Sequence, residues 1–192
     1  MVRVNTPVIN ATGLASVSVL QAQPGADVEL QGYSQNHYGT ASFDNDPTPV
    51  DRVATADESG VASFDDLRPA SNTRLRARLA GCPDATDGST AVITVRTQLT
   101  LAAARVGQRV YAFSGKSIPA RPGGLVVGLY RVAGSVESLA AQARANATTG
   151  QYSMNVTFPL RDLGQRITLV LKTGRDAQNA AGRSNSRPLL IQ

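Results

Sequence analysis

Tryptophan is absent from this 192-residue chain, and all aromatics together make up only 5% of it. Cores must then be built from Val, Leu, Ile and Ala, which implies thin, closely packed layers. A single cysteine, Cys82, excludes an intrachain disulfide and any multi-cysteine zinc site. Following Gly81 at the end of an expected strand, it reads as a small semi-buried residue. No apolar run approaches the ~20 residues of a membrane-spanning helix. The stretch from Met1 to Leu20 lacks the charged, then apolar, then small order of a signal peptide. Thr6, Pro7, Asn10, Thr12 and Gly13 interrupt it. The expectation is a chain that stays where it is made, leaves by lysis, or has lost a leader.

Lysine is scarce too. Of the 19 basic residues only Lys116 and Lys172 are lysine, and the other 17 are arginine. Beside abundant Ala and Gly, this bias toward arginine codons points to a GC-rich genome. That accounts for much of the +5 net charge without invoking nucleic acid.

The residues of catalysis are thin on the ground. His37 is the one histidine. A triad could be drawn from it, a serine and Asp44 or Asp46, but no Gly-x-Ser-x-Gly elbow exists. Neither a phosphate-cradling Gly-x-x-x-x-Gly-Lys nor a dinucleotide fingerprint occurs. The carboxylates of Asp44, Asp46 and Asp51, of Asp65 and Asp66, and of Asp84 and Asp87 lack the Asp-x-Asp-x-Asp-Gly order of a calcium loop. They read as solvated turn residues. The expectation is a non-enzyme without cofactor or metal.

What the chain does have is a repeat. Ala56-Asp57-Glu58-Ser59-Gly60-Val61-Ala62-Ser63-Phe64 returns, one residue longer, as the segment from Ala145 through Gly150 to Met154. Upstream, Pro24-Gly25 before Val28 and Leu30 matches Pro122-Gly123 before Val127 and Leu129. Downstream, Leu75, Ala77 and Leu79 ending at Gly81 match Ile167, Leu169 and Leu171 ending at Gly174. A period of about 90 residues exceeds the ~20–50 of a solenoid unit. It suits a whole small β-sandwich of ~100 residues. Two domains are expected, 1–94 and 95–192, because Val95-Arg96-Thr97-Gln98-Leu99 echoes the chain's first residues.

Within each half, bulky residues alternate with small or polar ones. Val28 and Leu30 alternate with Asp27, Glu29 and Gln31. Tyr152, Met154 and Val156 alternate with Ser153 and Asn155. This is the pattern of antiparallel strands with one face in the core and one in water. Turn signals at short intervals complete an all-β reading. Leu75, Leu79, Ile167 and Leu169 are the expected core. Val136 to Ala145, rich in helix formers, is read as strand or turn from its place in the repeat.

Leu67-Arg68-Pro69-Ala70-Ser71-Asn72-Thr73-Arg74-Leu75 resembles the Leu-x-Pro-x-Thr-x-Tyr corner of fibronectin type III domains. The Thr comes two positions late, and Leu75 stands where Tyr is common. Phe158-Pro159-Leu160 leads into a longer loop in the second half, whose Val110 to Tyr130 segment is similar to bacterial and phage immunoglobulin-like modules. The resemblance implies two tandem immunoglobulin-like or fibronectin type III-like antiparallel sandwiches, with no catalytic residues to carry over.

Two surface features stand out. Arg74, Arg76 and Arg78 project at period 2 from one face of a strand, ~6.5–7 Å apart. They call either for cross-strand acidic partners or for an anionic ligand, such as another subunit, a wall polymer or nucleic acid. With no recognition helix available, sequence-specific DNA reading is excluded. The second feature is the loop Tyr33-Ser34-Gln35-Asn36-His37-Tyr38, whose Tyr33, His37 and Tyr38 suit contact with a glycan or protein. The expected role is a non-catalytic structural or adhesive protein, in contact with other subunits of a larger assembly and with a surface glycan or anionic polymer. The favoured setting, since the chain starts at Met without an export signal, is a bacteriophage virion of a GC-rich host. The alternatives are a secreted bacterial cell-surface module and a carbohydrate-binding accessory domain of a secreted hydrolase. Virion or cell surface is thus the expected location.

Overall fold

The protein is known from a computed structural model, which describes residues 1–34, 48–69, 71–82, 90–121, 123–176 and 179–192. Among these there is no α-helix, and one short 3-10 turn spans Leu160–Asp162. The chain divides into two compact units: Met1–Arg96 with Ala177–Ala180, and Thr97–Asp176 with Ala181–Gln192.

In the first unit β1 (Val2–Val4), β3 (Ala15–Val19) and β6 (Ala62–Leu67) form one sheet. The other sheet runs in the order β2 (Val8–Asn10), β8 (Thr90–Arg96), β7 (Thr73–Leu79), β4 (Asp27–Ser34), β5 (Thr48–Thr55). The β2–β8 pair is parallel, with Ile9 beside Val95, and an isolated Arg96–Ala180 bridge is parallel too, whereas the remaining strand pairs of this unit are antiparallel among the described residues. Inward positions from both sheets meet in one core, including Val17, Val28, Leu30, Phe64, Leu75, Ile93 and Val95. Ala180 returns to this unit, its N–H donating to the Val95 carbonyl at 2.9 Å.

The second unit repeats the plan. Here β9 (Gln98–Leu99) and β10 (Ala102–Gly107) both pair β11 (Val110–Ile118), which pairs β14 (Gln151–Thr157). Facing them is a sheet of β13 (Val136–Arg144), β12 (Val126–Ala133) and β15 (Arg166–Thr173), with β16 (Gly182–Arg183) and β17 (Arg187–Leu190) both along β15. Each unit is therefore an immunoglobulin-like sandwich of two sheets over its own core. The Val136 stretch is strand, because its pairing with β12 overrides its helix-forming composition.

The repeated turns share the same local contacts. Gly60 and Gly150 both have positive φ, +74° and +68°. Each lies against backbone: a Cβ on Gly60 would strike the Ala22 carbonyl, and one on Gly150 the Ser117 carbonyl. In return the Ala22 and Ser117 N–H groups donate to the Gly60 and Gly150 carbonyls at 3.0 and 2.9 Å. The polar residues before each glycine do the same work. The Asp57 carboxylate accepts the N–H groups of Ser59 and Val61, and the Asn146 side chain those of Thr148 and Thr149. Only a residue free of Cβ strain fits both demands at these two positions.

Four expectations are corrected. Leu79 is 43% exposed, although Leu75 and Ala77 on the same face are buried. It is the last residue of β7, where the strand runs out beyond the core's cover. Cys82 is exposed, since Gly81 at φ +77° has already turned the chain out of the sheet. The second core is not purely aliphatic: Tyr111, Phe113, Tyr152 and Phe158 are all buried in it. Phe158 meets the Tyr111 and Phe113 rings edge-on at 5.7 and 6.4 Å. Finally Val170, placed by alternation on the outward face of β15, is fully buried.

Candidate functional site

The arginine row sits on the outward face of β7, and register with β4 sets the residue opposite each arginine along the backbone. Arg78 faces Glu29, Arg76 faces Gln31 and Arg74 faces Tyr33. Arg78 Nε donates to one Glu29 carboxylate oxygen at 2.8 Å and its Nη2 to the other at 3.1 Å, a two-pronged pair. Arg76 Nε donates to Gln31 Oε1 at 2.8 Å, and Gln31 Nε2 passes a bond on to Glu29 at 2.9 Å. Arg74 reaches across to the Thr90 hydroxyl on β8 at 3.3 Å. The Arg78 hydrogen bond holds the Glu29 carboxyl below its ordinary range, with the Gln31 bond and the nearby arginine charges adding to it against the cost of burial.

The three half-buried guanidiniums are thus bound into a ladder on the sheet. Gln31 looked outward in the alternation, yet it is buried under this ladder. Of the loop residues, Tyr33 lies near the end of β4, beside Arg74 in register. His37 and Tyr38 lie outside the described residues, as do Asp44, Asp46, Asp84 and Asp87. Among the described residues, no three His, Cys, Asp or Glu side chains cluster as metal ligands would.

A second feature escaped the sequence patterning. On the second unit, Ser114, Lys116, Arg144, Asn146, Gln151 and Ser153 line an open depression of about 640 Å³. Strand pairing assembles it: Ser114 stands opposite Ser153 and Lys116 opposite Gln151 in the β11–β14 register. Arg144 ends β13, and its Nη1 donates to the Gly123 and Gly124 carbonyls at 2.8 and 3.1 Å, which fixes the arm at the rim. Among the described residues the lining contains no carboxylate.

The signal that could have revealed this site is the distribution of charge. Past Arg96 the chain holds twelve basic residues but only Glu137, Asp162 and Asp176 as acids. All three acids are already committed. Glu137 pairs with Lys172 and, at 2.7 Å, with Arg183. Asp162 is buried against Arg131 at 2.7 Å, and Asp176 lies 3.5 Å from Arg121. Lys116 and Arg144 have no carboxylate partner among the described residues.

No family model and no curated protein matches the chain. Among solved structures it is similar to a tetra-tandem repeat from the extending region of a large adhesion protein, at 14% identity and a TM-score of 0.42. That likeness covers 100% of this chain and 48% of the other, so the chain spans about half its length. A cytokine receptor complex is similar at 11% identity and a TM-score of 0.47, covering 100% and 96%. The chicken CNTN1 FN1-FN3 domains are similar at 10% identity and a TM-score of 0.35, covering 97% and 62%. The sandwich architecture of this chain stands on its own strand pairing.

Proposed function

We propose that this protein is a non-catalytic structural and adhesive component of a larger surface assembly. The observation that carries the reading is the duplicated scaffold. Two sandwiches share one plan down to the backbone contact beneath Gly60 and Gly150. Duplication of a whole sandwich lengthens a protein and multiplies its exposed faces without adding a reaction centre. The charged side chains fit the same role. The arginine ladder is bound to Glu29, Gln31 and Thr90, which stiffens that face of the sheet.

The setting proposed for it is the surface of a bacteriophage virion, tail or capsid, with the secreted bacterial surface module as the alternative. Mass spectrometry of purified virions, set against cell-wall and culture-supernatant fractions, tests this directly. Peptides of the chain should enrich with the virions. Their recovery only from the wall or the secreted fraction would overturn the virion setting and favour the alternative.

A further inference from the structure

We propose that the depression between Lys116 and Arg144 is a binding seat for an acidic polysaccharide, taking a carboxylate or sulfate group between the two cations. The proposal rests on the adhesive reading above for its claim that this surface meets a polymer, and on three observations for the rest.

The first is charge. The second unit holds twelve basic residues, and its three carboxylates are all occupied by Lys172, Arg183, Arg131 and Arg121. The excess is therefore not cancelled inside the unit, and it favours the approach of an anion. The acids of the chain are concentrated instead in the first unit, which holds eleven of the 14.

The second observation is the chemistry of the lining. The two cations share the lining with the hydroxyls of Ser114 and Ser153 and the amides of Asn146 and Gln151. The exposed row continues along β14 with Asn155 and Thr157. Short donors and acceptors on a flat strand face suit the many hydroxyls of a sugar chain. The two cations suit its acidic group, through charge-assisted hydrogen bonds.

The third observation separates sugar from nucleic acid. Binding of single strands depends on exposed rings on which bases stack. The ring in this lining, Tyr152, is buried, and its hydroxyl is taken by the Thr100 carbonyl. Among the described residues the seat offers cations and hydroxyls without a stacking platform.

The experiment is a binding titration of the full chain against polygalacturonate, dextran sulfate, neutral dextran and a single-stranded oligonucleotide, at low and high salt. Binding to polygalacturonate or dextran sulfate, and not to neutral dextran, is expected, and it should weaken with salt. Which of the two polymers binds tells carboxylate from sulfate. Lys116→Gln with Arg144→Gln should lower affinity by about tenfold or more, as the loss of two charge-assisted bonds implies. Arg161→Gln with Arg166→Gln removes the same charge from other exposed positions of the unit and should change binding far less. Since Arg144 also braces the Gly123 turn, Lys116→Gln alone is a second probe that leaves that brace intact, and Lys116→Arg should bind as the parent does. Equal losses from the two double variants would show diffuse charge rather than a seat and overturn the proposal. So would failure to bind either acidic polymer, or oligonucleotide binding with the same dependence on Lys116 and Arg144. None of these outcomes bears on the virion fractionation, so the two readings fail separately.

Discussion

Tyr152 lies across Gly115, its register partner on β11, and its hydroxyl donates to the Thr100 carbonyl through the space a Cβ on Gly115 would fill. The pair locks three strands together: β14 supplies the phenol, β11 the gap, and the residue after β9 the acceptor. Gly115→Ala should therefore act as overpacking in a closed site and cost about 1–3 kcal/mol or more. Tyr152→Phe leaves the Thr100 carbonyl without that donor and should cost about 1 kcal/mol. Chemical denaturation of both variants against the parent checks the order, glycine above tyrosine.

Burial pushes the Tyr152 hydroxyl above its ordinary pKa. The folded state therefore holds this proton more tightly than the unfolded chain does. The contribution is intact below the unfolded tyrosine value of about 10 and is lost as pH rises beyond it. The parent should lose stability above that pH more steeply than Tyr152→Phe. Parallel slopes for the two proteins in alkaline denaturation would sink the argument.

The glycine turns make a matched pair of tests. Gly60→Val must place a branched side chain at φ +74° against the Ala22 carbonyl, and Gly150→Val faces the Ser117 carbonyl at +68°. Each should cost more than the ~1–2 kcal/mol of the left-handed conformation alone. Glu58→Ala, an exposed residue in the same turn, should fall within about 0.5 kcal/mol of the parent. A silent Gly60→Val in thermal unfolding would remove the steric account.

Leu79 and Leu30 separate alternation from enclosure. Leu30 is fully buried and Leu30→Ala should cost about 2–5 kcal/mol. Leu79→Ala, at the open end of β7, should cost under about 1 kcal/mol. Equal losses in denaturant titrations would mean that Leu79 is covered in solution.

Replacing Arg74, Arg76 and Arg78 together by Gln should leave the fold intact, since partly exposed pairs contribute about 0–1 kcal/mol each. The deficit should depend on pH in a stated direction. Arg78 lowers the Glu29 carboxyl, so the stabilisation is present above the ordinary carboxylate pKa and disappears as pH falls through the lowered value. Parent and triple variant should then converge at acid pH and differ most near neutrality. If the row also meets an anionic partner, the variant should assemble more weakly at low salt, and the difference should shrink as salt is added.

Period-2 patterning carried the fold a long way, because a half-buried strand writes its inward face directly into the sequence. Val28, Leu30, Met154 and Ile167 are buried as their alternation requires. It stopped short where tertiary cover decides. Nothing local to Leu79 says that the opposing layer ends there, and nothing local to Val170 says that the outer face closes over it. The parallel β2–β8 pair joins residues distant in sequence and leaves no periodic trace. At the candidate sites, the arginine row was visible as a pattern, but Gln31 and Glu29 became its partners only through register with β4. Lys116 and Arg144 belong to different strands and come to line one depression only once the sandwich is closed.

The uneven placement of rings gives the protein an internal reporter. Among the described residues the buried tyrosines, Tyr111 and Tyr152, both lie in the second unit, and no tryptophan competes with them. Tyr111 is tied at both faces of its hydroxyl, donating to the Leu190 carbonyl and accepting from the Gln192 N–H. Held in fixed asymmetric surroundings, these rings should dominate the near-ultraviolet circular dichroism, whereas the far-ultraviolet band sums the strands of both halves. One unlabelled sample then yields two unfolding curves, and their separation measures how far one sandwich can melt while the other stands.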